Sequence, residues 1–364
     1  MNWNMGNIGR KETGALVFSG CAVSGIFALS TGGFSRGNTG YLSALISLLL
    51  ALGLFFAAAS ALRLSRQEDL FGLLSAGLGQ TLSGVLGTVL IPALVIASAL
   101  PLSELFSTLG RYIFIQAEGE DFALFIAPCL ALPLLWGYES IARSARLTAL
   151  LLGLSLLATA LFSLPGGEWQ RLFPLPWKDF PRLLREGLMG LSRFLPALTA
   201  ILILARGGQN TGITLKASFR GLIMGGLLAA GVLLCLGLTY PYFILEDMGS
   251  PVYQMTAPMQ SGGLMRMDKI LFFFWLGGAL TAALLYLFAG GFLLTKVFSL
   301  KDTRPPCICL GACALAIAVL GCGNGDRILL VKDFLHRWLW TFFLVPIFFG
   351  ALAAGFSGLK GGKR

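Results

Sequence analysis

Long apolar stretches alternate with short polar segments along the whole chain. A helix needs about 20 predominantly apolar residues to cross the roughly 30 Å hydrocarbon core of a bilayer. Stretches of this length predict ten membrane-spanning helices in one polytopic domain, residues 1–364. The predicted spans cover residues 14–34, 40–62, 82–105, 122–138, 147–163, 187–205, 217–240, 270–298, 307–322 and 338–356. An even number of spans places both termini on the same side of the membrane.

The composition supports a membrane protein, because 56% of the residues are hydrophobic, only 12% are charged and the mean hydropathy is +0.80. The net charge of +10 is concentrated in the loops on the side that carries both termini. Lys and Arg are retained on the cytoplasmic face, so both termini are predicted to be cytoplasmic. The basic residues therefore indicate topology and contact with the anionic lipid of the bilayer. They do not indicate nucleic-acid binding.

Ten spans divide into two groups of five, separated by the long stretch from Leu164 to Glu186. An odd number of spans in each half forces the second half to be inverted relative to the first, as in many secondary transporters. The first and sixth spans, which begin the two halves, are the most interrupted by small residues. We therefore predict an all-α membrane fold with a five-plus-five inverted repeat, in which helices one and six are broken around a ligand site.

In the first span, Gly20, Ser24 and Gly25 are the candidate ligand-binding residues. Glycine and serine weaken a helix, and backbone groups exposed in hydrocarbon must bond to protein, water or ligand. We expect backbone donors near these residues to bind a carboxylate at the positive end of a half-helix. The alternative is that the small residues only allow close helix packing.

In the sixth span, the candidates are Gly190, Ser192 and Arg193, followed by Pro196, which frees a carbonyl near residue 192 for an ammonium group. Close packing is again the alternative for the small residues. An arginine at the centre of a span costs about 3 kcal/mol on insertion scales. Three explanations stay open for Arg193: it binds a ligand carboxylate, it has an internal partner such as a carbonyl or Glu104, or it snorkels to the outer surface.

The chain lacks the arrangements that catalysis requires, and we expect it not to be an enzyme. His336 is the only histidine, it is predicted in the outer hairpin before the last span, and no pair of carboxylates lies within a span. The seven cysteines lie mostly in apolar stretches and imply no disulfide framework. Cys309 and Cys313 are one helical turn apart, but helix packing is favoured over metal binding. No cofactor or metal is expected.

The stretch Trp136 to Arg143 reads WGYESIAR. It resembles the signature G-[LY]-E-[TS]-I-A-R of the endospore germination permease family, the B subunits of spore germinant receptors. Glu139 and Arg143 are spaced i, i+4 with the acid first, which is the favourable order for a pair on a helix. We interpret them as a hinge or gate fastener. The alternative is a surface pair worth a few tenths of a kcal/mol.

A second resemblance covers Ser250 to Met255 and the triplet Arg266-Met267-Asp268, which runs into the aromatic eighth span. These segments are similar to the outer loop of the same family and to its R-[IML]-D motif. In the place of the proline that many relatives keep late in the first span, this chain has Ala28-Leu29-Ser30. An arginine stands near the glutamate position of the sixth span.

The resemblance implies the LeuT-like fold of the amino acid, polyamine and organocation transporter superfamily, with a small ligand, often an amino acid, held between broken helices one and six. It also implies a place in the inner membrane of the spore, beside the A and C subunits of a germinant receptor. Trp275 would wall the ligand pocket. The leading hypothesis is a germinant sensor. The alternatives are a proton- or sodium-coupled amino acid transporter and a structural partner subunit with a vestigial pocket.

Overall fold

The computed structural model describes residues 8–27, 39–173, 180–208, 210–241, 244–245, 248–256, 267–322 and 326–361. This part of the chain is almost entirely helical, and an isolated bridge joins Ile8 to Gly208. The helices are α1 Arg10–Phe27, α2 Gly40–Leu64, α3 Leu70–Leu78, α4 Gln80–Thr108, α5 Gly119–Trp136, α6 Tyr138–Ser163, α7 Phe180–Met189, α8 Leu195–Ile203, α9 Thr211–Thr239, α10 Met267–Val297, α11 Arg304–Leu320 and α12 Asp326–Gly361. Shorter helical turns cover Leu109–Ile113, Leu164–Gly166, Trp169–Leu172, Gly190–Arg193, Ala205–Gly207 and Pro251–Gln254.

Each predicted span overlaps a helix, and the sixth span overlaps the pair α7 and α8. Within the described residues, seven helices are long and apolar enough to cross a membrane, and the bent pair adds an eighth if it is one span. Helix α1 begins with three charged residues and α11 has 17 residues, so neither is a full apolar crossing by itself. The chain is a multi-pass membrane protein, and the count of ten crossings stays a prediction.

Two regions differ from the prediction. Helix α3 was not predicted, and the Asp69 carboxylate begins it by accepting a hydrogen bond of 2.7 Å from the Gly72 N–H. Helix α12 begins at Asp326, twelve residues before the predicted last span. The prediction of an outer hairpin around Lys332 and His336 is therefore wrong, because both residues belong to α12.

Small residues bring α1 and α9 into close contact. A Cβ atom built on Gly225 would lie 2.8 Å from the carbonyl oxygen of Phe18, and one built on Gly25 would lie 2.6 Å from Cβ of Ala229. Such contacts let helix backbones approach closely where the surrounding lipid supplies no hydrophobic driving force. The packing alternative thus accounts for Gly25.

The first and sixth spans behave differently. Helix α1 is continuous through Gly20, Ser24 and Gly25, so the interruption expected at these residues does not occur there. Residues 28–34, the predicted end of the first span, lie outside the described residues. The sixth span is interrupted as predicted: α7 ends at Met189, a tight turn covers Gly190–Arg193, and α8 starts at Leu195 with a bend of 41°.

Candidate ligand site at the break of the sixth span

Arg193 ends the tight turn between α7 and α8. Its side chain reaches no surface, because the residue is only 8% exposed, so the snorkelling explanation is wrong. Glu104 is not its partner, since this carboxylate pairs with Lys332 at 2.9 Å. Glu186 attracts the guanidinium electrostatically. Even so, Nη1 of Arg193 is buried without a hydrogen-bond partner among the described residues, which leaves a donor for a ligand.

A cavity borders this guanidinium, and we call it the arginine cavity. Its walls come from α1, α4, the break of the sixth span and α12. The lining residues are Ser24, Phe27, Ala97, Leu100, Pro101, Ser192, Arg193, Pro196 and Leu339. Its volume is about 20 Å³, which is room for about one water molecule. In this conformation the cavity is thus too small for a ligand much larger than water.

Helix α1 contributes a side chain to this cavity rather than free backbone. Inside a continuous helix the N–H groups of Gly20, Ser24 and Gly25 serve the helix itself, so the expected backbone donors for a carboxylate are not offered here. The Ser24 hydroxyl lies 3.2 Å from the Tyr286 hydroxyl, which also donates to the Gly20 carbonyl at 3.3 Å. Tyr286, which the sequence analysis did not single out, thus fixes α1 against α10.

The small residues of the sixth span divide between packing and the cavity. Gly190 lies against the Ser47 side chain of α2, and the Ser47 hydroxyl donates to the Gly187 carbonyl at 2.8 Å. Ser192 lines the arginine cavity, and its hydroxyl donates to the Met189 carbonyl at 2.9 Å. Gly190 therefore shapes the break, whereas Ser192 and Arg193 face the space that the break creates.

Trp275 lines a second cavity, which we call the tryptophan cavity. It is also about 20 Å³ in volume, and it is lined by Ile26, Phe27, Glu104, Thr108, Ser250, Pro251, Val252, Tyr253, Phe272 and Trp275. Trp275 is 2% exposed, and its Nε1 has no hydrogen-bond partner among the described residues. Trp275 thus walls a cavity, but not the one that contains Arg193, and its role in a ligand pocket stays a prediction. Phe27 borders both.

A buried ion pair joins the tryptophan cavity to α12. The side chains of Glu104 and Lys332 are each 6% exposed, and a buried carboxylate or ammonium is stable only when it is paired. Sequence reasoning missed this pair because it placed Lys332 in a solvated hairpin. The only signal was Glu104 itself, an acid inside a long apolar run.

The segment from Ser250 to Met255 closes the tryptophan cavity. The Tyr253 hydroxyl donates to the Asp268 carboxylate at 3.0 Å, and the hydroxyls of Thr108 and Ser250 are 2.8 Å apart. These bonds fix the Pro251–Gln254 turn to α4 and α10. Arg266 of the R-[IML]-D motif lies outside the described residues.

The signature at the start of α6 has a structural explanation. Gly137 has φ of +92°, a conformation that side-chain-bearing residues rarely adopt, and it separates α5 from α6. Tyr138 is buried, with its ring stacked on Phe288 at 5.4 Å between centroids. Glu139 and Arg143 form an ion pair on the same helix, with side chains 41% and 75% exposed. This geometry matches the surface-pair alternative, and a gating role stays a prediction.

The described segments contain the first stretch that resembles the germination permeases and, apart from Arg266, the second, and the match extends through most of the chain. Residues 11–322 match the family described as spore germination protein. The chain belongs to the spore germination protein family. None of the curated protein sequences matches it.

Three solved structures that resemble this spore germination protein are of transporters. A Na⁺-coupled sialic acid symporter has a TM-score of 0.67 at 10% identity, covering 93% of this chain and 78% of that chain. Mhp1, a nucleobase-cation-symport-1 family transporter with bound bromovinylhydantoin, has a TM-score of 0.66 at 11% identity, covering 99% and 94%. The Eremococcus coleocola manganese transporter has a TM-score of 0.64 at 16% identity, covering 95% and 77%.

At these identities the likeness shows the fold alone. The germination protein therefore has the LeuT-like fold that the sequence predicts. Its arginine cavity, at the broken sixth span, lies at the kind of interruption where transporters of this architecture bind their solutes.

Proposed function

We propose that this chain is the membrane subunit of a spore germinant receptor and that it binds a small, amino acid-like germinant at the arginine cavity. Binding favours one of two helix arrangements, and the A and C subunits of the receptor respond to the change. The proposal places the protein in the inner membrane of the spore with both termini in the cytoplasm. It requires neither catalysis nor a cofactor.

The observation that carries the proposal is the unpaired Nη1 of Arg193. A buried donor without a partner costs about 1–3 kcal/mol, and more when the group is charged. A carboxylate that reaches the guanidinium would remove this cost with charge-assisted hydrogen bonds, which arginine can make in a bidentate geometry. The ligand class that fits best is thus a small carboxylate.

An amino acid does not fit the arginine cavity as it stands, because the cavity volume is about 20 Å³. Binding must then be coupled to a movement of α1, α4, α8 or α12, whose side chains border the cavity. A ligand shifts such an equilibrium only by its differential affinity for the two arrangements. Contacts with Arg193 that form only in the opened arrangement would supply that difference.

The proposal is tested with spores that carry Arg193→Gln or Arg193→Lys in an otherwise intact receptor. We expect Arg193→Gln to raise the germinant concentration for half-maximal germination by about 10- to 100-fold, since a hydrogen bond to a charged group contributes about 1.5–3 kcal/mol. Arg193→Lys keeps the charge but loses the planar fork, so its effect should be intermediate.

Arg220→Gln is the matched control, because Arg220 is an exposed residue of α9. It should leave the dose response unchanged, and immunoblots of spore membranes should show equal amounts of all variants. A normal germinant response of Arg193→Gln would refute binding at this guanidinium.

A second candidate function is secondary transport, favoured by the fold that the chain shares with symporters. Uptake of labelled amino acids into proteoliposomes that contain the purified chain separates the two functions. Concentrative uptake driven by a proton or sodium gradient would support the transporter. Its absence, together with a shifted germination response in Arg193→Gln spores, would support the sensor.

A further inference from the structure

The arginine and tryptophan cavities lie side by side and share one wall residue, Phe27. The face of α4 shows that they follow one another along the same path. Ala97, Leu100 and Pro101 line the arginine cavity, and Glu104 and Thr108 line the tryptophan cavity. At 1.5 Å per residue, Pro101 and Glu104 are about 4.5 Å apart along the helix axis. The two cavities are thus consecutive compartments beside one helix.

The chemistry of the two compartments differs. The arginine cavity has a cationic donor without a partner among the described residues, Nη1 of Arg193, beside the hydroxyls of Ser24 and Ser192, which are hydrogen-bonded to the Tyr286 hydroxyl and the Met189 carbonyl. In the tryptophan cavity the oxygen-bearing groups already have partners: Glu104 pairs with Lys332, Thr108 with Ser250, and Tyr253 with Asp268.

The other groups of the tryptophan cavity are aromatic or aliphatic. The Trp275 Nε1–H, which has no hydrogen-bond partner among the described residues, is a neutral donor. A charged ligand group would find no free counter-charge there without breaking the Glu104–Lys332 pair, whereas an apolar group would gain contact with Phe272 and the Trp275 ring at no such cost. The tryptophan cavity is therefore suited to the apolar part of a ligand.

We infer that Phe27 determines ligand specificity by separating a carboxylate compartment at Arg193 from a compartment for an apolar side chain at Trp275. This inference rests on the proposed function. Each compartment has room for about one water molecule, so a ligand larger than its carboxylate must displace the Phe27 ring to extend from one into the other. The ring at position 27 thus sets the size of the side chain that the protein accepts.

The test compares Phe27→Ala and Phe27→Leu with the wild type in intact spores, using four probes: L-alanine, L-valine, L-leucine and L-phenylalanine. A smaller residue 27 joins the compartments, so the sensitivity to L-leucine and L-phenylalanine relative to L-alanine should rise by at least about tenfold in Phe27→Ala. Phe27→Leu should raise the same relative sensitivity, but by a smaller factor. Phe27→Trp should shift the preference towards L-alanine.

Phe18→Ala is the matched control, since Phe18 lies on the same helix against α6 and α9 and borders neither cavity. It should leave the ranking of the four amino acids unchanged. If Phe27→Ala fails to accumulate, the Leu and Trp variants still test the inference because their predicted shifts have opposite signs.

An unchanged ranking in every Phe27 variant that accumulates would overturn the inference, as would an equal shift in Phe18→Ala. Failure of the proposed function gives a different result: Arg193→Gln spores would then respond like the wild type. Loss of the response in Arg193→Gln together with an unchanged ranking in the Phe27 variants rejects the inference about Phe27 and leaves the proposed function standing.

Discussion

The described part of the first span and the sixth span share a high content of small residues but differ in structure. Both are rich in glycine and serine, yet α1 is one continuous helix and the sixth span is interrupted between Met189 and Leu195. In α1 the glycines are used for contact: Gly25 faces Ala229, and Gly20 faces Ala197. Glycine inside a helix costs up to about 1 kcal/mol relative to alanine, and close packing can offset that cost without any break.

Proline alone does not explain the break either. Helix α4 contains Pro92 and Pro101 and remains helical. In the sixth span, Pro196 lies in the first turn of α8, where its missing N–H costs little, and Gly190 precedes it at a close contact with α2. The helix of the sixth span is interrupted where a closely packed glycine precedes, and a proline follows, a buried arginine. Neither glycine nor proline predicts an interruption by itself.

The largest effect is expected from removing the ion pair that holds α12 beside the break. Lys332 of α12 pairs with Glu104 of α4, and Leu339 of the same helix borders the arginine cavity. Lys332→Met leaves an unpaired buried carboxylate and should destabilise the protein by about 3–5 kcal/mol. Thermal unfolding of the purified protein in detergent measures the change.

The double variant Glu104→Gln with Lys332→Met should recover most of that loss, because neither charge is then left unpaired. Lys301→Met is the control, since Lys301 is exposed beyond the end of α10. Its stability should stay within about 0.5 kcal/mol of the wild type. Equal stability of Lys332→Met and Lys301→Met would show that the pair contributes nothing to the position of α12.

The sequence predicts the helices well because lipid imposes a simple rule on length and apolarity. It also identifies Arg193, since a lone arginine in an apolar span needs a reason. The signature glycine, Gly137, was recognisable as a motif, but only its positive φ shows why glycine is required there.

The missed features depend on contacts between distant parts of the chain. Lys332 lies in a segment polar enough to be taken for a loop, and only the fold brings it to Glu104. Phe27 is one of 28 phenylalanines, and nothing local distinguishes it from Phe18 on the same helix. Tyr286 acts through a hydroxyl that meets α1 across more than 250 residues of sequence.

An intermediate loss of stability is expected from Gly25→Ala, a change that distinguishes helix packing from ligand binding as the role of this glycine in α1. Gly25→Ala places a methyl group 2.6 Å from Cβ of Ala229, so the helices must separate, at a cost of about 1–3 kcal/mol. Gly231→Ala in α9 is the control, because its Cβ would meet nothing within 4 Å. It should be neutral or stabilise the protein by up to about 1 kcal/mol.

Thermal unfolding of both variants decides the matter. A lower unfolding temperature for Gly25→Ala alone supports the packing role of this glycine. If both variants unfold like the wild type while Gly25→Ala spores lose germinant sensitivity, Gly25 belongs to the ligand site. Both spans would then take part in ligand binding, and the first span would not be limited to helix packing.

The smallest effect concerns the hydroxyl that joins α1 to α10. Tyr286→Phe removes the bonds to the Gly20 carbonyl and the Ser24 hydroxyl but keeps the buried ring. Interhelical hydrogen bonds in membranes contribute on average about 0.6 kcal/mol, so the stability should fall by roughly 0.5–1 kcal/mol. Ser24→Ala removes one of these bonds and should cost less. In Tyr286→Phe the Ser24 hydroxyl loses its partner on α10 and still borders the arginine cavity. The germinant dose response of this variant should therefore shift, although its unfolding temperature changes little. A lower unfolding temperature with an unchanged dose response would mean that Tyr286 only stabilises the packing of α1, and that α1 takes no part in sensing.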